Sequence, residues 1–373
     1  MAVNVALIGS GIFAREQHLP AITASSNITL KAIYSRTLAS AQNVASGAET
    51  PVDLYSEDGD PSRNYVNLLS RADIHAVIIA LPITHQPEYI RLALLNGKHV
   101  LSEKPVAKDV ASARELIKWY HSAMDTFKVT WSVAENYRYI ESFLYAAQAV
   151  KELGRVLGFR VKVHNFVKPG TKYFGIPSLL FLLLMYSFTK YFCDPPYANN
   201  YMIEETAWRK TPEYQGGFLL DGGVHFVAGT RLLLSEENAI MRVSAFSAQL
   251  QPHLPPVDTL DAVLRTKTGV TGTWSVSFGT SLTGNQYTVA CDNGTVTAGR
   301  GYVVVTRDGK EERKEFPNEG SGVKQEVHAW ATGILEGKQD PRQTPHEALR
   351  DLEILEKMLR SGESAGTPQD IIL

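Results

Sequence analysis

Val3-Asn4-Val5-Ala6-Leu7-Ile8, followed at once by Gly9-Ser10-Gly11-Ile12-Phe13-Ala14, is the stretch on which the fold turns. Its first six residues are an apolar, β-branched run of strand length, and the residues after Ala14 read as a helix start. A strand, a glycine turn and a helix N-terminus in that order make a cradle for phosphate. Gly9 permits the tight turn, Gly11 carries no side chain to block a pyrophosphate, and Ala14 in the third small position lets helix and strand pack closely. Unpaired N–H groups at the helix start face the anion. Gly-x-Gly also occurs in ordinary turns, so the pattern takes its weight from this context.

The 373 residues suit two domains with sizeable cores. An apolar fraction of 44% and a charged fraction of 20% are those of a soluble globular protein. A net charge of −2 without a long basic run argues against nucleic acid or an anionic membrane as the main partner. Two cysteines, Cys193 and Cys291, imply no disulfide framework and fit a reducing compartment. Residues 3–8 lack the basic flank of a secretory signal, so a cytoplasmic location is expected. No metal site is expected.

Further along, Leu30-Lys31-Ala32-Ile33-Tyr34 reads as a second strand, with Ser35-Arg36-Thr37 just past its end. In a βαβ unit this position meets the adenosine ribose. An acidic residue there binds the free 2′-hydroxyl of NAD, whereas Arg and small hydroxyls suit a 2′-phosphate. Arg36 therefore points to NADP rather than NAD, the bland alternative being a solvated loop charge. Ile74 to Leu81 looks like a strand buried on both faces, ended by Pro82-Ile83-Thr84-His85. A helix is expected from about Pro87 to Leu95, stopped by Gly97, and His99 to Ser102 is another short strand. Glu103-Lys104-Pro105 lies at that strand's carboxyl end, where open parallel sheets bind ligands. A helix over 109–124 and a strand over 129–133 complete an alternating, doubly wound parallel sheet.

These motifs, with Glu135-Asn136-Tyr137-Arg138-Tyr139 and the Asp221-x-x-x-His225 element, occur in the order of one family. The chain resembles the glucose–fructose oxidoreductase, inositol dehydrogenase and MocA (Gfo/Idh/MocA) family of NAD(P)-dependent oxidoreductases, and within it a fungal cytosolic NADP-dependent branch. That resemblance implies an N-terminal Rossmann domain over 1–133. It also implies an α+β substrate and oligomerisation domain over 134–373, with a large, mostly antiparallel open-faced sheet. It implies hydride transfer between nicotinamide and a carbinol or carbonyl carbon of a sugar, polyol or small aldehyde. The catalytic group is then Lys104, Asp221 and His225. Many members carry another Asp three residues after the His; Ala228 stands there. The candidate cofactor contacts are Gly9, Ser10, Gly11, Ile12, Phe13, Ser35, Arg36, Thr37, Leu81, Pro82, His85, Glu103, Lys104 and Asn136. Trp208, Arg209 and Tyr137 are candidate substrate contacts, with interdomain packing the competing reading for Trp208 and Arg209.

The residues themselves support the acid–base reading. A cation at a strand end polarises a hydroxyl or carbonyl and relays its proton. Asp221 and His225 lie four positions apart, on one face if helical. Histidine, with an unperturbed pKa of about 6.5, exchanges protons near neutrality. Gly222 and Gly223 read as sites of close backbone approach to a substrate. The competing function is a non-catalytic NAD(P)-binding regulator of the same fold; keeping both Lys104 and His225 favours the enzyme. A small-molecule substrate and a homo-oligomer, dimer or tetramer, are the expected partners.

From Val156 apolar and polar residues alternate, and strand-like runs recur at 239–250, 260–267, 270–280, 285–291 and 301–306, with a tight turn at Asp292-Asn293-Gly294. Amphipathic helices are expected at 323–336 and 345–361. Ile176 to Phe188 is far more apolar than its surroundings, yet too short to span a bilayer, which takes about 20 residues. Three readings stand side by side. The stretch is an arm buried against a partner subunit, a membrane-surface anchor, or part of a retained intron or faulty gene model covering about 171–203.

Overall fold

The computed structural model describes residues 2–168 and 214–373. The apolar stretch at 176–188, the whole of 171–203, and the candidate substrate residues Trp208 and Arg209 lie outside them.

The opening run forms β1 (Val3–Ile8), with Val5, Ala6, Leu7 and Ile8 wholly buried. A strand, whose side chains alternate between faces, is buried at successive positions only if both faces are covered, as in a parallel sheet. The other strands are β2 (Ile28–Ser35), β3 (Asp53–Ser56), β4 (Ala76–Ile79), β5 (His99–Glu103) and β6 (Trp131–Ala134). They pair in parallel in the order β3-β2-β1-β4-β5-β6. The strand order reverses between β1 and β4, which opens a crevice at the carboxyl ends of those strands. The helices on this sheet include α1 (Leu19–Ala24), α2 (Leu38–Ala45), α3 (Tyr65–Leu69), α4 (Gln86–Leu95) and α5 (Val110–Ala123). A π-wound turn, Ala14–His18, runs directly into α1.

After α6 (Glu141–Glu152) a nine-stranded sheet takes over: β7 (Val156–His164), β8 (Ile240–Ala248), β9 (Thr259–Thr266), β10 (Thr271–Ser277), β11 (Gly284–Cys291), β12 (Gly294–Gly299), β13 (Tyr302–Arg307), β14 (Lys310–Glu315) and β15 (Gln369–Asp370). The order is β14-β13-β12-β11-β7-β10-β9-β8-β15, and only the β7–β10 pair is parallel. The expected mostly antiparallel sheet is thus present. Three of its strands are absent from the sequence reading. β12 begins and ends on glycine, β15 has two residues, and β14, Lys-Glu-Glu-Arg-Lys-Glu, is exposed at every position. On β9, Leu260, Ala262 and Leu264 point inward while Asp261, Val263 and Arg265 face out. α6, α7 (Gly217–Leu234) and α9 (Pro345–Glu363) cover the inner face.

α9 begins at a Thr344 cap that accepts the Glu347 N–H, with Pro345 in its first turn. It buries Leu349, Leu352, Leu355, Met358 and Leu359, each contributing about 1.5–3 kcal/mol. Gly223 packs against this helix: a Cβ there would lie 3.0 Å from Leu355 Cδ2. Its missing side chain therefore serves helix–helix contact, not the substrate approach expected from the sequence. α8 (Val323–Glu336), although late in the chain, crosses to the first sheet. Val323, Val327, Trp330 and Ala331 share a buried cluster with Val3, Val5, Leu7 and Ile22. Both halves of the chain thereby close on one crevice.

Candidate active site

At the carboxyl edge of the first sheet, Gly9 adopts φ +114°, a conformation open to glycine but strained for other residues. A Cβ on it would sit 2.2 Å from the Ala80 carbonyl oxygen, so the turn closes tightly on β4. Gly11, by contrast, faces open space, with nothing within 4 Å of where its Cβ would be. Ala14 is fully buried under the helix. A backbone free of side chains, backed by a helix start, fits a pyrophosphate; the residues present suit a dinucleotide. Ser10 Oγ and Ser35 Oγ are 2.7 Å apart and join the glycine turn to the end of β2. Arg36 is exposed beside them, and among the described residues no ion pair holds it. Thr37 instead caps α2, accepting the Ser40 N–H. His85 is exposed at the start of α4, with Leu81 and Pro82 half-buried before it.

Lys104 stands at the end of β5, before a cis Lys104–Pro105 peptide. Its Nζ donates to the Asp221 backbone carbonyl at 2.7 Å and to Asp221 Oδ1 at 2.9 Å. Asp221 and His225 both lie on α7, one turn and about 6 Å apart along its axis. The helix thus brings the 104 ammonium and the 225 imidazole, distant in sequence, to one locale. Each of the three side chains keeps 13% of its surface exposed, enough to meet a ligand.

His225 does not turn to Asp221. Its Nδ1 lies 2.7 Å from Glu135 Oε1, and its ring stacks on Tyr137 with centroids 5.1 Å apart and planes at 18°. Glu135 is buried just past the end of β6. Burial opposes its ionisation, yet the His225 imidazole, the Arg138 guanidinium and the Tyr137 N–H together hold its carboxyl below the usual range. An ionised Glu135 accepts the Nδ1 proton of His225 and leaves Nε2 to exchange protons. A second pair lies behind Lys104, where buried His18 places Nε2 2.7 Å from Glu103 Oε1. Glu326 of α8 is fully buried nearby. Burial first, and then the charges of Glu103 and Glu135, push its carboxyl well above the usual range against Arg138 and Lys104. Among the described residues no cluster of three or more potential metal ligands occurs.

Several expected contacts are otherwise engaged. Asn136 donates its side-chain amide to the Ser321 carbonyl at 2.6 Å, tying the β6 exit to the start of α8. Glu103 is occupied by His18. Tyr137 is buried, and its ring backs the His225 imidazole. Sequence reasoning did not assign Glu135, His18, Glu326 or Arg138 to the site. Glu135 had one legible signal: a carboxylate immediately after a buried parallel strand, the same situation as Lys104. Glu326 had none, because it arrives on a helix far along the chain.

The family model for the oxidoreductase NAD-binding Rossmann fold matches residues 3–130, and that for the oxidoreductase C-terminal alpha/beta domain matches residues 186–368. The chain is 40% identical to dehydrogenase FPY6 of Fusarium mangiferae over 374 aligned positions, 98% of each chain. It belongs to the Gfo/Idh/MocA oxidoreductase family. An oxidoreductase of Thermotoga maritima superposes with a TM-score of 0.80 at 26% identity, covering 99% of this chain and 98% of that one. KijD10, a 3-ketoreductase from Actinomadura kijaniata solved with TDP-benzene and NADP, gives 0.69 at 22% identity, over 97% and 98%; at that identity the likeness is one of fold. As a Gfo/Idh/MocA protein the chain is an NAD(P)-dependent oxidoreductase whose Rossmann domain binds the nucleotide. Among the described residues no helix is long and apolar enough to cross a membrane.

Proposed function

We propose that the chain is a cytoplasmic, NADP-preferring enzyme that interconverts a carbinol and a carbonyl on a sugar, polyol or small aldehyde. Residues 1–133 hold the dinucleotide and 134–373 the substrate, and the open face of the second sheet pairs subunits. When bound, the nicotinamide supplies or accepts the hydride. The observation that carries the reading is the double pairing on α7, Lys104 with Asp221 and His225 with Glu135. Asp221 fixes the Lys104 ammonium beside the crevice, where it polarises the substrate oxygen. Glu135 orients His225, whose Nε2 gives the proton to that oxygen in reduction and takes it back in oxidation. Arg36, held by no carboxylate among the described residues, supports NADP by offering its guanidinium to a 2′-phosphate. The ketoreductase with NADP is in keeping with both the cofactor and the carbonyl chemistry.

A regulator that only senses the dinucleotide needs neither pair. The test is purified protein with NADPH and a panel of aldoses, ketoses and small aldehydes. Turnover that disappears in Lys104→Met, with NADPH binding retained, supports the enzyme. Tight NADPH binding with no turnover on the whole panel overturns it.

A further inference from the structure

We infer that Asp351 is a positioning residue, whose carboxylate clamps together the two elements that carry the Glu135–His225 pair. The inference rests on the reading of His225 as the group that exchanges the substrate proton.

Glu135 precedes a single short turn, Asn136–Tyr139, which has little internal structure to fix it. His225 belongs to α7, a separate element. The 2.7 Å contact between their side chains therefore depends on how the turn and the helix are held relative to each other. Each element sends one arginine to the same place. Arg138, three residues after Glu135 and 5% exposed, donates Nη2 to Asp351 Oδ2. Arg231, on the helix that bears His225, donates Nη1 to Asp351 Oδ1 at 2.6 Å. One carboxylate thus gives one oxygen to each element, the geometry of a staple.

The first turn of α9 repeats the arrangement. The Glu347 backbone carbonyl accepts from Arg138 Nη2 at 3.3 Å and from Arg231 Nη1 at 3.1 Å. The Glu347 carboxylate accepts from Arg231 Nη2 at 2.8 Å. Both guanidiniums also line a cavity of about 540 Å³. On that side hydrogen bonds to α9 locate both, and Arg138 Nη1 also donates to the Arg342 carbonyl at 3.3 Å. Asp351 and Glu135 also feel each other. Burial, reinforced by the Glu135 charge, pushes the Asp351 carboxyl up against the pull of the two guanidiniums. A buried ion pair is weak evidence for stability, because desolvation offsets most of its attraction. Its value here is geometric, in keeping a general acid–base pair in register.

The test uses the full-length protein labelled with 15N-histidine and tracks the Nδ1 proton resonance of His225 in NMR spectra, assigned by its loss in His225→Asn. A proton shared between Nδ1 and a carboxylate resonates far downfield, and its shift follows the geometry of that hydrogen bond, whereas a merely destabilised fold broadens it by exchange without moving it. Glu135→Gln is expected to shift it upfield. Asp351→Asn, which keeps the side chain's shape but not its second charged acceptor, is expected to move it upfield with NADPH affinity unchanged. An unmoved resonance in folded Asp351→Asn, broadened or not and with only a lowered Tm, overturns the clamp. If Asp351→Asn does not fold, Arg231→Lys carries the test. It keeps the charge but forfeits the fork, so it is expected to move the resonance upfield, and an unmoved resonance there overturns the inference equally. A resonance indifferent to Glu135→Gln refutes the acid–base pair itself, a distinct failure.

Discussion

Glu135→Gln is the most informative single substitution. It keeps the volume and one acceptor at a buried position, and replaces the carboxylate that meets His225 Nδ1 at 2.7 Å. A hydrogen bond to a charged group contributes about 1.5–3 kcal/mol, and each ~1.4 kcal/mol is a factor of ten in rate. If that stabilisation is realised as the imidazole gains its proton, kcat falls roughly 10- to 150-fold. The affinity for NADPH, held at the far side of the crevice by the glycine turn, stays within about twofold. The assay is steady-state NADPH oxidation with the best carbonyl of the panel, alongside nucleotide titration by fluorescence. A kcat within about threefold of wild type would refute the reasoning.

The geometry carries four further outcomes. Gly9→Ala places a Cβ 2.2 Å from the Ala80 carbonyl at φ +114°; a loss of about 2–4 kcal/mol in denaturant unfolding, with NADPH binding abolished, is expected. Arg36→Ala should weaken NADPH binding about tenfold while leaving NADH unchanged, and equal loss for both nucleotides would return Arg36 to the status of a loop charge. Glu326→Gln tests the buried acid of α8. Its folded pKa is raised above the ordinary 4.5, so the native state keeps a proton that the unfolded chain releases. Wild-type stability then falls by about 1.4 kcal/mol per pH unit above that value until the folded pKa is reached. The glutamine variant should therefore have the higher Tm near neutral pH, with the advantage gone in acid below the ordinary carboxylate value. Glu135 has the opposite sign. Its folded pKa is depressed, so its charge stabilises above its ordinary value and that contribution is lost as pH falls through the folded value. Wild type minus Glu135→Gln should accordingly shrink in Tm as pH drops below about 4.5.

What the sequence made legible was local. The Val3–Ile8 strand, the glycine turn, the carboxyl-end position of Lys104 and the i,i+4 pair on α7 all rest on short-range patterns of polarity and spacing, and α4, α5, α8 and α9 lie within a few residues of their expected limits. β3 and β14 escape such a reading because neither shows an apolar alternation. β3 is four residues long, and β14 is an edge strand whose charged side chains all face solvent. Half of the candidate site was hidden for a different reason. Glu135, Asp351 and Glu326 become site residues only when β6, α9 and α8 converge, and periodicity carries no information about which helix meets which strand end. Gly223 shows the converse error, since the position read as room for a substrate is room for Leu355.

The central claim is that the Lys104–Asp221 and His225–Glu135 pairs serve hydride transfer to a carbon–oxygen group, and isotope transfer tests it most directly. NADPH deuterated at the transferable C4 position is incubated with the enzyme and its carbonyl substrate, and the alcohol is analysed by mass spectrometry. The account predicts deuterium on the carbinol carbon with wild type and none with Lys104→Met that still binds NADPH. Deuterium absent from the wild-type product, or transferred undiminished by Lys104→Met, would contradict it.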